Sequence, residues 1–156
     1  MKIISTGANG ELGSDLVNLF VKKKHKVYAI YRNNKKKNLV KNKNLIWVRH
    51  DFCKKLIKKF KVDILINCIA AHNFSKKKKI SDLINSNIIA IKNIIKFAEE
   101  NRVKLVVNLS TISIYGDVDK PDLKEEYKPK HADNLGLTKF CGELLLADSS
   151  INYINL

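Results

Sequence analysis

The stretch KIISTGANGELG, Lys2 to Gly13, decides the fold of this chain. Its first half is a short apolar run typical of a buried β-strand, and its second half places Gly7, Gly10 and Gly13 three residues apart. Glycine permits a tight turn and lets backbone amides approach a bound group closely. A helix that begins at such a turn attracts anions to its N-terminal amides. We therefore predict a strand, a phosphate-binding turn and a helix over Gly10 to Lys23, with a purely structural glycine-rich turn as the alternative.

The remainder of the chain alternates short apolar runs with amphipathic stretches. Ser81 to Asn101 carries apolar residues at helical spacing, and VDILINCIA is a near-continuous apolar run typical of a strand covered on both faces. Asp133 or Asn134 is the expected cap of the last helix. Strands are predicted at residues 2–6, 26–32, 44–51, 62–70, 104–111 and 151–156, and helices at residues 10–23, 53–60, 81–101 and 134–147. This repetition predicts an α/β fold, a doubly wound parallel sheet of about six strands that binds ligands at the carboxyl ends of its strands.

Length and composition favour one globular domain over residues 1–156. Of the 156 residues 45% are hydrophobic, which is enough for a packed core. No apolar run approaches the roughly 18 residues of a membrane span. The N-terminus lacks the apolar region and cleavage site of a signal peptide, so we expect a cytoplasmic protein and no membrane partner.

The formal net charge of +15 raises the question of a nucleic-acid partner. The lysines form scattered runs at Lys22 to Lys24, Lys35 to Lys37 and Lys76 to Lys79, without interleaved aromatic residues or a helix-turn-helix pattern. We therefore expect a solvated basic surface and no nucleic acid, although the charge should favour anionic ligands.

Neither the cysteines nor the histidines have the spacing of a metal site. The cysteines form no C-x-x-C pair and the histidines show no ligand spacing, so we expect buried reduced thiols and no metal. These residues are Cys53, Cys68, Cys141, His25, His50, His72 and His131.

Three motifs together resemble the extended, nucleotide-sugar branch of the short-chain dehydrogenase/reductase superfamily. The first is G-x-x-G-x-x-G preceded by Thr6, and the second is VVNLSTISIYGD, residues 106–117, which is similar to the family's S-[ST]-x-x-V-Y-G. The third is LGLTKFCGE, residues 135–143, which is similar to Y-G-x-[ST]-K-x-x-G-E. The resemblance extends through nearly the whole chain and implies the N-terminal Rossmann domain of an epimerase, dehydratase or reductase. Family members are much longer, so it also implies that the C-terminal substrate domain is missing and must be supplied before a nucleotide sugar can bind.

The resemblance also implies a set of cofactor-binding residues. Asp51 and Phe52 match the adenine contact, and residues 68–70 match the segment that lines the cofactor ribose. Asn87 opens a helix similar to N-x-x-G-T-x-N-L-L-x-A-A and would fix the backbone near the active site; an ordinary helix asparagine is the alternative. The full set is Gly7, Asn9, Gly10, Glu11, Leu12, Gly13, Arg32, Asp51, Phe52, Cys68, Ile69, Ala70, Asn87 and Lys139.

The second predicted strand ends without an acidic residue. An NAD site usually places Asp or Glu there to bind the ribose hydroxyls, whereas this chain has Tyr31 and Arg32. A guanidinium pairs with a 2′-phosphate through two hydrogen bonds. We therefore expect NADP, with NAD possible; Arg32 could instead stack on adenine or point to solvent.

The implied catalytic set lacks its tyrosine. Thr111 matches the residue that bonds the reacting oxygen of the sugar, and Lys139 matches the lysine that lies four residues after the tyrosine and lowers the pKa of its phenol. Leu135 occupies the place of that tyrosine. Because leucine has no proton to exchange and acid–base catalysis contributes roughly 10²–10⁴-fold, we expect little or no turnover from this chain.

Three function hypotheses follow from these residues. The first is a sugar-nucleotide oxidoreductase or epimerase domain that uses Thr111 and Lys139, and the second is a binding module that holds NADP without turnover. A nucleic-acid-binding protein is a distant third. Candidate replacements for the tyrosine are Tyr127, His131 and Asp133, whereas Tyr115 is expected to serve in packing. A homodimer formed through helices 81–101 and 134–147 is a further expectation from the resemblance.

Overall fold

The computed structural model describes residues 1–33, 42–71, 79–116, 123–124, 126–130 and 133–156. Within these residues six parallel strands form one sheet in the order β3-β2-β1-β4-β5-β6. The strands are β1 (Lys2–Thr6), β2 (Lys26–Tyr31), β3 (Leu45–Arg49), β4 (Ile64–Asn67), β5 (Leu105–Asn108) and β6 (Tyr153–Asn155). The chain runs outward from β1 on one side and from β4 on the other, so the topological switch point lies between the carboxyl ends of β1 and β4. The predicted doubly wound parallel sheet is confirmed.

The described helices follow the predicted amphipathic stretches. They are α1 (Glu11–Lys22), α2 (Ile80–Ile84), α3 (Ala90–Asn101) and α4 (Asn134–Ala147). A π-helical segment, Asn85–Ile89, joins α2 to α3, so the helix is continuous from Ile80 to Asn101. Asp133, rather than Asn134, caps α4, because its carboxylate accepts a hydrogen bond of 2.7 Å from the Gly136 amide.

The hydrophobic core lies on both faces of the sheet. Successive residues of β2 alternate between the faces, because side chains along a strand point in opposite directions. Val27 and Ala29 pack with α1, whereas Tyr28 and Ile30 belong to the cluster that contains α3 and the end of α4. Helices therefore cover both faces of the sheet.

The helix predicted over Cys53 to Phe60 does not form. Leu56 and Phe60 are buried four residues apart, which resembles helical spacing, but the segment reaches the core without a helix. The Phe60 amide donates its hydrogen bond to the side chain of Asn101, at 2.7 Å. Isolated helices shorter than about 12–15 residues are marginal, so this short, lysine-rich segment takes the geometry that its core contacts impose.

A membrane span is not found in the described part of the chain, where every helix is too short or too polar to cross a bilayer.

Candidate functional site

The glycine turn after β1 is built so closely that side chains are excluded at two positions. Gly7 has φ of +60°, and a Cβ added to it would lie 2.6 Å from the carbonyl oxygen of Cys68. A Cβ added to Gly13, in the first turn of α1, would lie 2.3 Å from the carbonyl oxygen of Gly7. The start of α1 is therefore held directly against the end of β1.

Gly10 is the N-cap of α1 and has no side chain that could accept hydrogen bonds from the first helical amides. Its own amide donates to the carbonyl of Gly7, at 2.8 Å, which closes the turn. A helix start of this kind presents its amides and the positive end of its dipole to an anion. The strand, the glycine turn and the helix thus follow one another as predicted from the sequence.

Two cavities meet at this helix start. The first, which we call the β2-side cavity, has a volume of about 180 Å³, and the second, the β5-side cavity, has a volume of about 480 Å³. The two cavities share Gly10, Cys68 and Ala70. The β2-side cavity is lined by Gly7, Asn9, Gly10, Ile30, Arg32, Asn33, His50, Asp51, Phe52, Cys53, Cys68, Ile69, Ala70, Ser86 and Ala90. The β5-side cavity is lined by Gly10, Glu11, Leu12, Gly13, Asp15, Cys68, Ala70, Leu109, Ser110, Thr111, Leu135 and Lys139.

Every predicted cofactor residue except Asn87 lines one of these cavities. Asn87 is buried in the π-helical segment, where it donates to the hydroxyl of Thr138 at 3.0 Å and accepts from the amide of Ala71 at 3.5 Å. It therefore joins α4 to the segment that follows β4. The residue fixes the backbone beside the cavities without lining them.

The β2-side cavity combines a cation, a carboxylate and aromatic residues. Arg32 is exposed after β2. Partial burial alone would raise the pKa of Asp51, but hydrogen bonds from Cys53 and the charges of Arg32 and His50 hold the pKa below its usual value. The ring of Phe52 is committed to the core, where it packs edge to face against Phe97 with ring centroids 6.2 Å apart. Asp51 is thus ionised near neutral pH, beside a guanidinium.

The β5-side cavity contains a buried amine. Lys139 is 6% exposed, and its Nζ donates to the carbonyl oxygens of Leu109 at 2.7 Å and Ile69 at 3.4 Å. Burial lowers the pKa of Lys139 to about 8, although the charges of Cys68 and Glu143 act in the opposite direction. The amine is therefore close to its titration midpoint near physiological pH.

Thr111 lines the same cavity at the start of the 3₁₀ turn Ile112–Tyr115. Its hydroxyl donates to the Ser113 hydroxyl at 3.3 Å and accepts from the Ser113 amide at 3.2 Å. The adjacent Ser110 donates to the carboxylate of Glu143. Thr111 and Lys139 therefore line one cavity.

Leu135 is half-buried and lines this cavity together with Lys139. The candidate replacements for a tyrosine at this position do not line it in the described structure: Tyr127 is 37% exposed, and Asp133 is occupied as the cap of α4. His131 lies outside the described residues. Tyr115 is half-buried in the 3₁₀ turn.

The sequence did not single out Asp15 or Leu109, which also line the β5-side cavity. Asp15 lies four residues after Glu11, so helical spacing placed both carboxylates on one face of α1. The backbone carbonyl of Leu109 accepts a hydrogen bond from Lys139. Every residue type has such a carbonyl, so the sequence could not indicate this contact.

Among the described residues, no group of three or more His, Cys, Asp or Glu side chains could hold a metal ion. The cysteines are free thiols but only partly buried, which corrects the expectation of buried thiols. Burial raises the pKa of the Cys68 thiol to about 11. His72, Lys35 to Lys37 and Lys76 to Lys78 lie outside the described residues.

The sequence model of the NAD dependent epimerase/dehydratase family matches residues 3–156. The chain belongs to this family. No curated protein matches the sequence.

Solved structures of much longer enzymes share the fold. The Bordetella bronchiseptica enzyme WbmH in complex with NAD+ has a TM-score of 0.87 and 20% identity, with 99% of this chain and 54% of that chain covered. A UDP-galactose 4-epimerase has a TM-score of 0.84 and 21% identity, with 99% and 55% covered. The UDP-glucuronic acid 4-epimerase from Bacillus cereus in complex with NAD has a TM-score of 0.86 and 22% identity, with 99% and 54% covered. The chain therefore spans about half the length of these solved structures, and at such identities the likeness concerns the fold alone.

Proposed function

We propose that this chain is the dinucleotide-binding domain of a nucleotide-sugar epimerase, dehydratase or reductase. The observation that carries the proposal is the meeting of two cavities at the start of α1, around Gly10. A dinucleotide has two nucleoside halves joined by a pyrophosphate, so it matches two cavities joined at an anion-binding helix start. Membership of the family and the NAD named in the similar solved structures support the same assignment.

The residues present fit such a ligand on steric grounds. Gly7 and Gly13 leave no room for side chains between β1 and α1, so the turn stays short and its backbone stays accessible. The β2-side cavity would hold the adenosine half beside Arg32 and Asp51, and the β5-side cavity would hold the nicotinamide half beside Thr111 and Lys139. When bound, the nicotinamide supplies the capacity to accept and donate a hydride.

The proposal includes a preference for NADP over NAD. Arg32 is exposed and lines the β2-side cavity, and β2 ends without a carboxylate that would repel a 2′-phosphate. The carboxylate of Asp51 accepts a hydrogen bond of 3.0 Å from the Cys53 amide, so one of its oxygens is already engaged by its own loop. Arg32 is therefore the residue that decides the preference.

Because of Leu135, we also propose that this domain has low or no catalytic turnover. The β5-side cavity brings Lys139 and Thr111 together, but the side chain beside the lysine is a hydrocarbon. Either the domain transfers hydride slowly with Thr111 and Lys139, or it binds the dinucleotide without turnover. Leu135 favours the second function.

The substrate and the assembly are proposals drawn from relatives. Similar solved structures contain UDP, as in the Bordetella bronchiseptica enzyme WbmG in complex with NAD and UDP, or a UDP-sugar, as in MoeE5 in complex with UDP-glucose and NAD. We therefore propose a nucleotide sugar as the substrate of the whole protein. Homodimerisation would use the helix from Ile80 to Asn101 and α4, whose outer surfaces expose Ile84, Leu137 and Leu144.

Calorimetric titration with NADP+ and NAD+ tests the assignment. We expect NADP+ to bind more tightly, and Arg32→Ala to weaken NADP+ about tenfold or more while leaving NAD+ unchanged, because hydrogen bonds to charged groups contribute about 1.5–3 kcal/mol. Lys26→Ala is the matched control, since this lysine lies at the opposite end of the same strand. Absence of binding for both dinucleotides would refute dinucleotide binding. If the wild type binds NADP+ and NAD+ with equal affinity, and Arg32→Ala changes neither affinity, only the NADP preference is refuted.

A further inference from the structure

The environment of Lys139 differs from that of an ordinary paired lysine. Its two hydrogen-bond acceptors are neutral backbone carbonyls, those of Leu109 and Ile69. The side chain is 6% exposed but lines a cavity of about 480 Å³. The neighbouring wall is Leu135, which offers no acceptor to the amine.

The stereochemistry of the amine fits these two carbonyls. A neutral primary amine has two N–H bonds and one lone pair, so it keeps both hydrogen bonds when it loses a proton. The lone pair then takes the remaining tetrahedral direction, away from both carbonyls. An ammonium has a third N–H, which must turn toward the cavity because Leu135 offers it no acceptor. The site therefore suits an amine whose lone pair is available to a group in the cavity.

The ionisable groups around Lys139 do not hold it in the charged form. Glu143, whose carboxylate accepts from Ser110, and Cys68 both act to raise the pKa of Lys139, but burial outweighs them. Glu11 and Asp15 line the cavity from α1, where both are exposed to solvent. Burial consequently dominates and lowers the pKa of Lys139 to about 8.

We propose that Lys139 forms an imine with an aldehyde or ketone that enters the β5-side cavity. The amine attacks the carbonyl carbon, a C–N bond forms, and the π electron pair moves to oxygen, which takes up a proton. The resulting carbinolamine loses water, made from that hydroxyl and a proton, to leave the C=N bond. One carbonyl compound and one amine thus give one imine and one water, with no change of oxidation state.

Two features of the cavity support this chemistry. Buried lysines in apolar surroundings are the ones that proteins use for Schiff bases, because the neutral amine is the nucleophile. Ser110 and Thr111 line the cavity beside Lys139 and place hydroxyl groups near an incoming carbonyl oxygen. Imine formation depends on the cavity and the amine, so it does not require the dinucleotide of the proposed function.

The test uses pyridoxal 5′-phosphate as an aldehyde probe, with borohydride to trap the imine and peptide mass spectrometry to count label at each lysine. At neutral pH, Lys139 is expected to be labelled about tenfold or more faster than the exposed Lys92, because burial increases the fraction of the Lys139 amine that is neutral. The rate at Lys139 should rise with pH up to its midpoint and then level off. Labelling no faster than at Lys92 overturns the proposal.

Matched variants separate this chemistry from other causes. Leu135→Tyr fills the cavity and adds a hydrogen-bonding group beside the amine, so we expect severalfold slower labelling of Lys139. Leu137→Tyr is the control, since Leu137 is 53% exposed on the same helix. Equal labelling of Lys139 in both variants would contradict a role for the Leu135 wall and overturn the proposal.

Protection by NADP+ distinguishes the two proposals from each other. If both hold, NADP+ slows labelling of Lys139 and leaves Lys92 unchanged. If only imine formation holds, Lys139 is labelled rapidly with or without NADP+. If only dinucleotide binding holds, NADP+ binds in the calorimeter while Lys139 reacts no faster than Lys92.

Discussion

Leu135 and Lys139 face one cavity from successive turns of α4. In the family that the motifs resemble, a tyrosine at the position of Leu135 depends on the lysine for the acidity of its phenol. In this chain the amine of Lys139 donates to two backbone carbonyls, and the side chain beside it is a hydrocarbon. The loss of the phenol removes a proton donor but keeps the amine in place. The chemical capacity of this site therefore rests on Lys139.

Leu135→Tyr is predicted to create an unusually acidic phenol. The phenol and Lys139 should titrate as a coupled pair, and while Lys139 is protonated its charge lowers the pKa of the introduced phenol below the ordinary value of about 10. An ultraviolet difference titration of this variant against the wild type measures the pKa of the introduced phenol. Repeating the titration with Lys139→Met added supplies the control, and an unchanged midpoint there would show that the lysine does not reach the phenol.

Lys139→Met is predicted to change the pH dependence of stability. The pKa of Lys139 falls from 10.5 to about 8 on folding, so the unfolded chain binds more protons between these values. The cost of burying the charge is complete below about pH 8 and disappears as the pH rises toward 10.5. The unfolding free energy of the wild type should therefore rise relative to that of Lys139→Met, by up to about 3 kcal/mol, across this window.

Urea unfolding at several pH values measures this difference. Lys92→Met is the control, because it removes the same charge from an exposed position on α3. Parallel stability curves for the wild type and Lys139→Met would contradict the account.

A ladder of polar side chains crosses four strands at the carboxyl edge. The hydroxyl of Thr6 donates to Asn67 at 2.7 Å, the amide of Asn67 donates to Asn108 at 2.9 Å, and the amide of Asn108 donates to Asn155 at 2.9 Å. The parallel register places these residues side by side on β1, β4, β5 and β6. Asn67 also accepts from the amide of Ile69 at 3.2 Å, so the ladder helps to position Ile69, whose carbonyl accepts a hydrogen bond from Lys139.

Asn108→Ala is predicted to destabilise the sheet by about 1–3 kcal/mol, because it leaves the buried amide of Asn67 without its partner. Asn155→Ala removes only the last rung, at a half-buried position, and should cost less. Urea unfolding of both variants provides the comparison. A larger loss in Asn155→Ala than in Asn108→Ala would show that the ladder is not a stabilising unit.

The strands and helices that were predicted well are those whose hydrophobic period in the sequence agrees with the pattern of burial in the structure. Each strand was predicted from an apolar run; β1 has the predicted bounds, and the structure shortens the other five runs, as with residues 62–70 and β4. The helix predicted over residues 53–60 was wrong, because buried residues four apart occur in irregular segments as well as in helices. The residue types gave no signal for the π-helical segment, in which Asn87 contacts Ala71 and Thr138.

At the scale of the whole molecule, the site was predictable because its residues directly follow strands. Residues after β1, β2, β4 and β5 must converge at one edge of a parallel sheet, so Gly7, Arg32, Cys68 and Thr111 could be grouped without coordinates. Backbone acceptors such as those of Leu109 and Ile69 could not be predicted, because any residue type supplies them. The shapes of the two cavities could not be predicted from the residue types either.

The central claim is that a dinucleotide binds where the two cavities meet at the start of α1. Amide chemical-shift mapping by NMR during a titration with NADP+ tests it most directly, because each backbone N–H in the glycine turn reports separately. We predict the largest shifts at residues 7–13 and 68–70, with smaller shifts near Arg32 and Lys139. Unchanged signals at residues 7–13 under saturating NADP+, or shifts confined to the lysine-bearing surface around Lys92 and Lys96, would contradict the account.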